Sequence, residues 1–479
     1  MKHKHLYIFV CAAACLLCGC GTYTRYERPN LDVNTDSLYR TSMVRADSSM
    51  ITAKLGADSS MASPMIEADS CTIASKPWRE FFTDPCLQSL IATGLERNTD
   101  LSIAHLQTEE AQAVLLNARL SYLPSVSLNP QAGISHYNGE TKKTYNIGGT
   151  ASWEVDIFGR ITNAKHEAIA ALEQSQAYAQ AVETQLIATI AESYYTLLML
   201  DEQLAISKET LENWDQTIAT LEALAQAGKT NDVAVHQACA NRTALNASML
   251  TIRKSISETE NALSALLKEP AHTIKRSTLA EQHFSDDLSL GLPLLLLSNR
   301  PDVRQAEAAL AESFYATNSA RAAFYPTLTL SGSLGWTNNG GGSILNPGKW
   351  LSSAIASLTA PLFNKGTNIA NLKIAQARQQ EATLRFEQSL LDAGNEVNDA
   401  LAEWQTADSR IALDRQQIAD LEAATEKTNW LVRYTSANYL EVLTAQQSLL
   451  NAQLTLAQDR IGKIQAVIHL YHALGGGKE

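Results

Sequence analysis

The sequence predicts a mainly α-helical protein with a transmembrane β-barrel portion, assembled from two duplicated helix-hairpin-helix halves. Three observations predict this fold class. Long stretches without glycine or proline are rich in good helix formers. Short segments in which apolar and polar residues alternate follow Pro124 and Pro326. The same order of motifs also occurs twice, which indicates a tandem duplication.

The N-terminus has the features of a bacterial lipoprotein signal peptide. Lys2 and Lys4 precede an uncharged run that is too short to span a bilayer. Residues 17–20 read LCGC, which resembles the lipobox, the motif whose cysteine receives lipid and becomes the mature N-terminus. We predict that residues 1–19 are removed and that Cys20 carries the lipid. An ordinary cleaved signal with an incidental cysteine is the alternative.

Charge, cysteine content and hydropathy exclude several classes of partner and structure. The formal net charge of −12 argues against a nucleic-acid partner. Beyond the lipidation site Cys20, only Cys71, Cys86 and Cys239 remain, an odd number that excludes a disulfide framework and leaves a Cys71–Cys86 bridge open. No later apolar run is long enough for a transmembrane helix. Any membrane crossing must therefore use strands.

The duplication sets the domain boundaries. Ala118-Arg119 and Pro124 recur as Ala320-Arg321 and Pro326, and later motifs repeat in the same order. The segment after the leader is rich in Ser, Thr and Asp and reads as a flexible tether. The predicted regions are a leader (1–19), a lipidated tether (20–76), a first repeat (77–270), a linker (271–300) and a second repeat (301–477).

Each half contains one very long predicted helix. Residues 160–227 hold neither glycine nor proline, and a helix over this range would be about 100 Å long. Gly228 follows as a stop, and 365–431 has the same helix-forming character apart from Gly366 and Gly394. The last helix has a sustained repeat of about 3.5 residues, which predicts side-by-side helix packing. The repeat comprises Leu443, Gln447, Leu450, Leu454, Ala457, Ile461, Ile464, Ile468 and Tyr471.

Four strands are predicted, at about 125–136, 145–157, 327–337 and 350–362. Each alternates between an apolar face and a polar face. If these strands cross the outer membrane, the apolar face meets lipid and the polar face meets water. The predicted lipid-facing residues are Trp153, Val155, Leu328, Leu330, Leu334 and Trp336, and the predicted lumen-facing residues are Glu154, Asp156, Thr327, Thr329 and Ser331.

Four strands cannot close a barrel, and lipid does not tolerate open sheet edges because their backbone groups would lack hydrogen bonds. The smallest transmembrane barrels have about eight strands. We therefore expect several copies of the chain to share one barrel. A soluble, half-buried sheet would show the same alternation, but it fits poorly with such long helices. It also fits poorly with an outer-membrane location, with which the Gly21 that follows Cys20 is compatible.

Several motifs resemble those of the outer-membrane factors of tripartite efflux systems, the TolC and OprM group, and especially its lipidated NodT-like branch. The stretch KPWREFFTDPC at 76–86 is similar to the family's entry motif, with Asn98 further on. RPDVR at 300–304 and LYHALGGG at 470–477 are similar to two further family motifs. The resemblance covers about 76–477.

The resemblance implies a homotrimer whose twelve strands form one outer-membrane barrel, continued by a long periplasmic α-helical barrel. It also implies two protein partners, a periplasmic adaptor and an inner-membrane transporter of the resistance-nodulation-division (RND) type. Substrates would pass through the duct passively. Outer-membrane lipid would surround the strands of this Gram-negative protein.

Two groups of residues have predicted roles outside the strands. Arg300 and Asp302 flank Pro301 at a helix start, where we expect them to cap the helix and fix its junction. In relatives, tyrosine, arginine and aspartate near the periplasmic helix turns form constrictions. The corresponding gate candidates are Asp232, Arg433, Tyr434 and Glu441, although Thr435 and Thr444 depart from the family pattern.

No catalytic residue, metal site or cofactor other than the lipid on Cys20 is predicted. The sequence has no His-Glu-x-x-His pattern or nucleophile elbow, and Cys-x-x-Cys occurs only in the leader. Within the duct class, an outlet for type I protein secretion or for metal-ion efflux is the alternative. A periplasmic adaptor lipoprotein is the alternative outside that class.

Overall fold

The computed structural model describes residues 24–29, 76–282, 300–337, 349–434 and 439–476. Its α-helices within these ranges are α1 (Trp78–Phe81), α2 (Pro85–Arg97), α3 (Thr99–Leu120), α4 (Arg160–Gln226), α5 (Asp232–Leu266), α6 (Pro301–Ala322), α7 (Thr367–Tyr434) and α8 (Tyr439–Ala473). Its strands are β1 (Ser125–Leu128), β2 (Gln131–Tyr137), β3 (Glu140–Val155), β4 (Thr327–Thr337) and β5 (Lys349–Thr359).

The duplication is visible in the lengths of the helices. Helices α3 and α6 each have 22 residues, and α5 and α8 each have 35. The two long helices, α4 and α7, have 67 and 68 residues. Each half therefore presents a helix, a strand hairpin, a very long helix and a return helix in the same order.

All described strands belong to one antiparallel sheet in which β3 pairs with β4 and β4 pairs with β5. Strands β1 and β2 both pair with β3 and together occupy the position of one strand. The division falls at Asn129 and Pro130, because proline has no N–H for the ladder. The first predicted strand, 125–136, is therefore two shorter strands.

The first hairpin closes more tightly than the sequence analysis predicts. Tyr137 pairs directly with Glu140, and Asn138 and Gly139 between them have φ angles of 53° and 82°. Two consecutive residues with positive φ form a type I′ turn, for which Asn-Gly is the preferred sequence. Strand β3 consequently begins at Glu140 and not near residue 145.

The described chain divides into two compact units. The first, the strand unit, comprises the described parts of 1–32, 105–177 and 304–388 and includes all five strands. The second, the helical unit, comprises the described parts of 33–104, 178–303 and 389–479.

The helical unit holds the main hydrophobic core. Its largest cluster joins α1 and α2 to α4 and α8 and includes Trp78, Phe82, Ile190 and Ile468, all fully buried. Six positions of the predicted repeat in α8 are buried, namely Leu443, Leu450, Ala457, Ile461, Ile468 and Tyr471. Among the helices that the structure describes, none has both the length and the apolar character needed to cross a membrane.

Candidate functional site

The strand register places the predicted lipid-facing residues on one side of the sheet. Directly opposed residues of antiparallel strands share a face. Leu328 lies opposite Val155 and Leu330 lies opposite Trp153. Leu358 of β5 extends the same face across Leu328. By alternation along β4, Leu334 and Trp336 lie on this face too. That this face contacts lipid remains a prediction.

The opposite face carries hydroxyl groups. Thr329 lies opposite Glu154, and Ser331 lies opposite Ser152. Hydroxyl pairs span neighbouring strands on this face, with 2.8 Å between the Oγ of Ser127 and the Oγ1 of Thr150 and 2.7 Å between the Oγ atoms of Ser333 and Ser353. Thr327, at the start of β4, shares the face and lies opposite Thr359. Leu351 and Ile355 of β5 are apolar exceptions.

Aromatic side chains bracket the apolar face at both ends of the strands. Trp336 and Trp350 pack edge to face with ring centroids 5.0 Å apart, near the hairpin tip. At the helix end, Trp153 donates its Nε1–H to the carbonyl of Tyr122 at 2.9 Å, and Phe158 stacks on Tyr325 at 4.8 Å. Aromatic girdles of this kind mark the two lipid–water interfaces of membrane barrels.

The length of the strands fits the thickness of a membrane. Strand β4 has 11 residues, which corresponds to about 37 Å of extended chain. At a tilt of about 45° its vertical extent is about 25 Å, the height of the apolar band on outer-membrane barrels.

Two acidic residues predicted to face the lumen form an ion pair and hydrogen bonds at the junction between β3 and α4. Arg160 donates from Nε to Oε1 of Glu154 at 2.8 Å and forms an ion pair with it. Asp156 lies one residue beyond β3 and accepts hydrogen bonds from the backbone N–H groups of Ile161 and Thr162, at 3.1 and 2.8 Å. Asp156 therefore satisfies the orphan donors at the start of α4, as helix-capping residues do.

Arg300 and Asp302 lie at the start of α6, where the sequence analysis expects a helix junction. Arg300 is 3% exposed. It donates to the carbonyl of Ala473 at 2.9 Å and to Oε2 of Glu396 at 2.7 Å, and it holds Asp302 through two further bonds. Asp302 in turn accepts the N–H of Val303 at 2.9 Å. One guanidinium thus joins the start of α6 to the end of α8 and to α7.

The charges at this junction stabilise one another. Burial alone would raise the pKa of the Asp302 carboxyl, but hydrogen bonds and the nearby charge of Arg300 outweigh it and hold that pKa below its ordinary value. Burial opposes the charge on Arg300, whereas the bonds to Asp302 and Glu396 raise the pKa of Arg300 above its ordinary value. Both groups therefore stay ionised around neutral pH.

Asn98 makes the matching junction in the first half, a role that the sequence analysis does not assign. Its Nδ2 donates to the carbonyl of Leu266 at 3.0 Å, and its Oδ1 accepts the N–H of Leu101 at 3.0 Å. Leu266 is the last residue of α5, as Ala473 is the last of α8. The signal that could have identified Asn98 is its position in the duplication, because the spacing from Ala118 to Ala320 also relates Asn98 to Arg300.

A second polar cluster that the sequence analysis missed centres on Asp84, the N-cap of α2. Its carboxylate accepts from the hydroxyl of Tyr194 at 2.6 Å, from Nε2 of Gln282 at 2.9 Å and from the Ser277 hydroxyl. Burial works against ionisation, but these bonds together lower the pKa of Asp84. The cluster ties the segment after α5 to α2 and α4.

The gate candidates lie at the start of α5, at the end of α7 and at the start of α8. Asp232 is the first residue of α5, Glu441 lies in the first turn of α8, and both are exposed. Arg433 and Tyr434 belong to the last turn of α7. Their side chains, and residues 435–438, lie outside the described residues. The gate assignment remains a prediction.

Part of the predicted tether packs along α6. Nδ2 of Asn318 donates to Oγ1 of Thr24 at 3.3 Å, and the N–H of Tyr26 donates to the hydroxyl of Tyr315 at 3.3 Å. Arg28 donates to Glu307 at 2.7 Å. These contacts run antiparallel to α6, so the start of 24–29 lies toward the C-terminal end of α6.

Cys20 and Cys71 lie outside the described residues, and the thiols of Cys86 and Cys239 are free. Within the part of the chain that the structure describes, no group of three or more His, Cys, Asp or Glu residues is arranged to hold a metal ion.

A family model described as "Outer membrane efflux protein" matches residues 90–268 and 292–476, most of the chain. The chain belongs to the outer membrane efflux protein family. A member from Escherichia coli (strain K12), "Cation efflux system protein CusC", is 31% identical over 476 residues, which cover 97% of this chain and 98% of CusC. "Probable outer membrane lipoprotein SilC" of Salmonella typhimurium is 30% identical over 410 residues, 84% of this chain and 88% of SilC.

Solved structures of the family share the fold. The open state of the Neisseria gonorrhoeae MtrE outer membrane channel has a TM-score of 0.81 to this chain at 27% identity, covering 95% of this chain and 98% of MtrE. The predicted family and fold class are confirmed. As a member of the outer membrane efflux protein family, this chain is an outer-membrane efflux channel, with its long helices in the periplasm.

Proposed function

We propose that three copies of the chain close one twelve-stranded barrel, which forms the outer-membrane exit duct of a tripartite pump. The observation that carries the proposal is the sheet itself. In the described sheet, β5 is paired on one side only, and the β1–β2 position is paired only with β3. Along the sheet, neighbouring strands alternate in direction, so β5 of one copy can pair antiparallel with β1–β2 of the next.

The width that a duct needs sets the smallest number of copies. Two copies would give eight strands, and the interior of an eight-stranded barrel is just wide enough for its own side chains. Three copies give twelve strands and leave an open lumen. The hydroxyl face, with Thr329, Ser331 and Ser333, then lines a water-filled passage, and the face with Leu330 and Trp336 contacts lipid.

The duct is passive in this proposal. A periplasmic adaptor and an inner-membrane RND-type transporter would select the cargo and supply the energy, and the chain would act as a conduit and not as an enzyme. The family membership supports this arrangement, as does the presence of long helices on both sides of each hairpin.

Conductance in planar lipid bilayers tests the duct and its lumen face together. Ser331→Arg places an added positive charge from each copy on the hydroxyl face, so we expect lower conductance and a shift in selectivity toward anions. Ser331→Thr, which keeps the hydroxyl, is the matched control and should conduct like the unchanged protein. If Ser331→Arg conducts with unaltered selectivity, this face does not line the duct.

We also propose that Cys20 carries the lipid. SilC, a relative, is described as a probable outer membrane lipoprotein. Thr24 binds near the C-terminal end of α6, which leads directly into β4, so the bound segment starts beside the membrane strands. The unchanged protein should incorporate labelled fatty acid, and Cys20→Ser should not. Label retained by Cys20→Ser would place the lipid elsewhere, and no label on the unchanged protein would exclude lipidation.

A second candidate cargo is metal ions, in place of organic compounds. The similarity to CusC, described as a cation efflux system protein, favours it. Loss of the chain from its host should then increase sensitivity to metal salts more than to solvents or antibiotics. Increased sensitivity to organic compounds alone would favour an outlet for organic compounds.

A further inference from the structure

A cavity of about 350 Å³ lies within the helical unit, between α4, α7 and α8. It is separate from the strands and from the junctions at Asn98 and Arg300. Its volume falls within the range of small-molecule sites in proteins and would hold on the order of ten water molecules. Trp214 of α4, Glu422 of α7 and Gln446 of α8 each contribute to its lining.

Two buried polar atoms of residues that line this cavity have no hydrogen-bond partner in the described structure. They are Nε1 of Trp214, whose side chain is 1% exposed, and Oε1 of Gln446, whose side chain is 8% exposed. A buried donor or acceptor without a partner is destabilising, and native proteins keep few of them. Two such atoms at one cavity indicate a site that a polar ligand completes.

The orientation of the Gln446 amide is fixed by its neighbour. The hydroxyl of Thr217 donates its hydrogen to the carbonyl of Asn213 at 2.9 Å. The same oxygen, 3.1 Å from the Gln446 amide, can therefore only accept, so the atom facing it is Nε2. Oε1 is left as an acceptor, and Trp214 Nε1–H is left as a donor.

The charge of the residues that line the cavity indicates the charge of the ligand. Glu209 and Glu422 line the cavity, and none of the described lining residues is Lys, Arg or His. The remaining polar lining consists of hydroxyl and amide groups, among them Thr210, Thr217 and Gln453. An ammonium group suits two carboxylates and the free Gln446 oxygen, and a ligand hydroxyl or carbonyl oxygen suits the Trp214 N–H.

We propose that this cavity binds a small organic ammonium compound that also carries an oxygen acceptor, such as an amino sugar or an amino alcohol. Such a ligand bridges Trp214 on α4 and Gln446 on α8. Because it would bind only the folded arrangement of these helices, it raises the unfolding temperature of the protein.

Three sugars of one ring framework test the proposal on the detergent-extracted full-length protein. Glucosamine carries an ammonium group, glucose is neutral and glucuronate is an anion. Binding is followed by tryptophan fluorescence and by the unfolding temperature. We expect glucosamine to bind about tenfold or more tightly than glucose, and glucuronate not to bind.

Variants locate the binding site. Trp214→Phe and Gln446→Leu remove the two orphan atoms while keeping apolar volume, and each should weaken glucosamine binding about tenfold. Trp430→Phe changes an exposed tryptophan outside the cavity lining and should leave binding unchanged. Equal binding of all three sugars, no binding of any, or unchanged binding in both cavity variants would show that the cavity holds only water.

Discussion

The two halves of the molecule close the same helix junction with different chemistry. In the first half, a neutral amide from Asn98 holds the carbonyl of Leu266, the last residue of α5. In the second half, the guanidinium of Arg300 holds the carbonyl of Ala473, the last residue of α8, and adds ion pairs to Asp302 and Glu396. The donor distances to the two carbonyls are nearly equal, at 3.0 and 2.9 Å.

This difference shows that the duplication preserved a geometric requirement and not a residue type. A helix that ends inside a protein leaves carbonyl groups without partners, and a donor from the neighbouring helix start satisfies one of them. Either an amide or a guanidinium can do so. The ionic version, however, buries a charge, and a buried charge is costly once its partners are removed. The second junction should therefore be the more sensitive of the two.

The largest expected effect on stability comes from substitutions that break each of these two junctions separately. Arg300→Met should lower the free energy of unfolding by about 2 to 4 kcal/mol, because the Ala473 carbonyl and the two carboxylates lose the donor of their hydrogen bonds. Asn98→Ala should cost about 1 to 2 kcal/mol, for one capping bond and one carbonyl bond. Unfolding in denaturant, monitored by circular dichroism, measures both.

Arg253→Met, which changes an exposed arginine of α5, is the matched control and should change stability by less than about 0.5 kcal/mol. If Asn98→Ala proves as damaging as Arg300→Met, the added ion pairs do not distinguish the two halves.

The next largest effect concerns the two faces of the hairpins. Leu330→Arg places a charge on the apolar face and should cost about 2 to 4 kcal/mol at mid-bilayer. Ser331→Arg, one residue later, places the same charge on the hydroxyl face and should assemble normally. The yield of folded protein in outer-membrane fractions measures the difference. Equal yields of the two variants would mean that the faces are assigned wrongly.

The strand-to-helix junctions of the two halves should also differ, by a smaller amount. Asp156 caps α4 by accepting hydrogen bonds from two backbone N–H groups. In the second half, Asn364 precedes α7, and its side chain forms a hydrogen bond with the side chain of Asn368 in the first turn of α7. Asp156→Ala should therefore cost about 1 kcal/mol, and Asn364→Ala should cost less. The shift in unfolding midpoint of each variant is the measurement. A larger shift for Asn364→Ala would contradict the capping role of Asp156.

The smallest expected effect is a pH dependence of stability that arises from a histidine in the second half. His469 of α8 lies 3.1 Å from Glu192 and 3.2 Å from Glu403, and the corresponding residue of α5 is Ala262. The hydrogen bond to Glu192 is the main cause that raises the pKa of His469 to about 9, against the opposing effect of burial. The stabilisation is therefore fully present below about pH 6.5 and is lost as the pH rises through about 9.

Because the His469 side chain is 47% exposed, the effect should not exceed about 1 kcal/mol. His469→Gln should flatten the dependence of stability on pH between about 6.5 and 9. A profile identical to that of the unchanged protein would show that the two carboxylates do not act on this histidine.

Periodicity predicted most of the fold, because it reflects burial along single elements. The long helices and the two faces of β4 follow from residue spacing alone. The turn at Asn138 and Gly139 carries a recognisable signal, but the polar residues after it suggested a loop. Contacts between distant segments, such as Asp84 with Ser277, leave no periodic trace, because each depends on how the helices pack. The junction role of Asn98 could be found only by aligning the halves.

The native mass of the detergent-extracted mature protein tests the shared barrel most directly. We expect three copies, because twelve strands leave an open lumen and satisfy every strand edge. A monomer that is stable and remains in the membrane would contradict it, since the described sheet would then keep two unpaired edges in lipid.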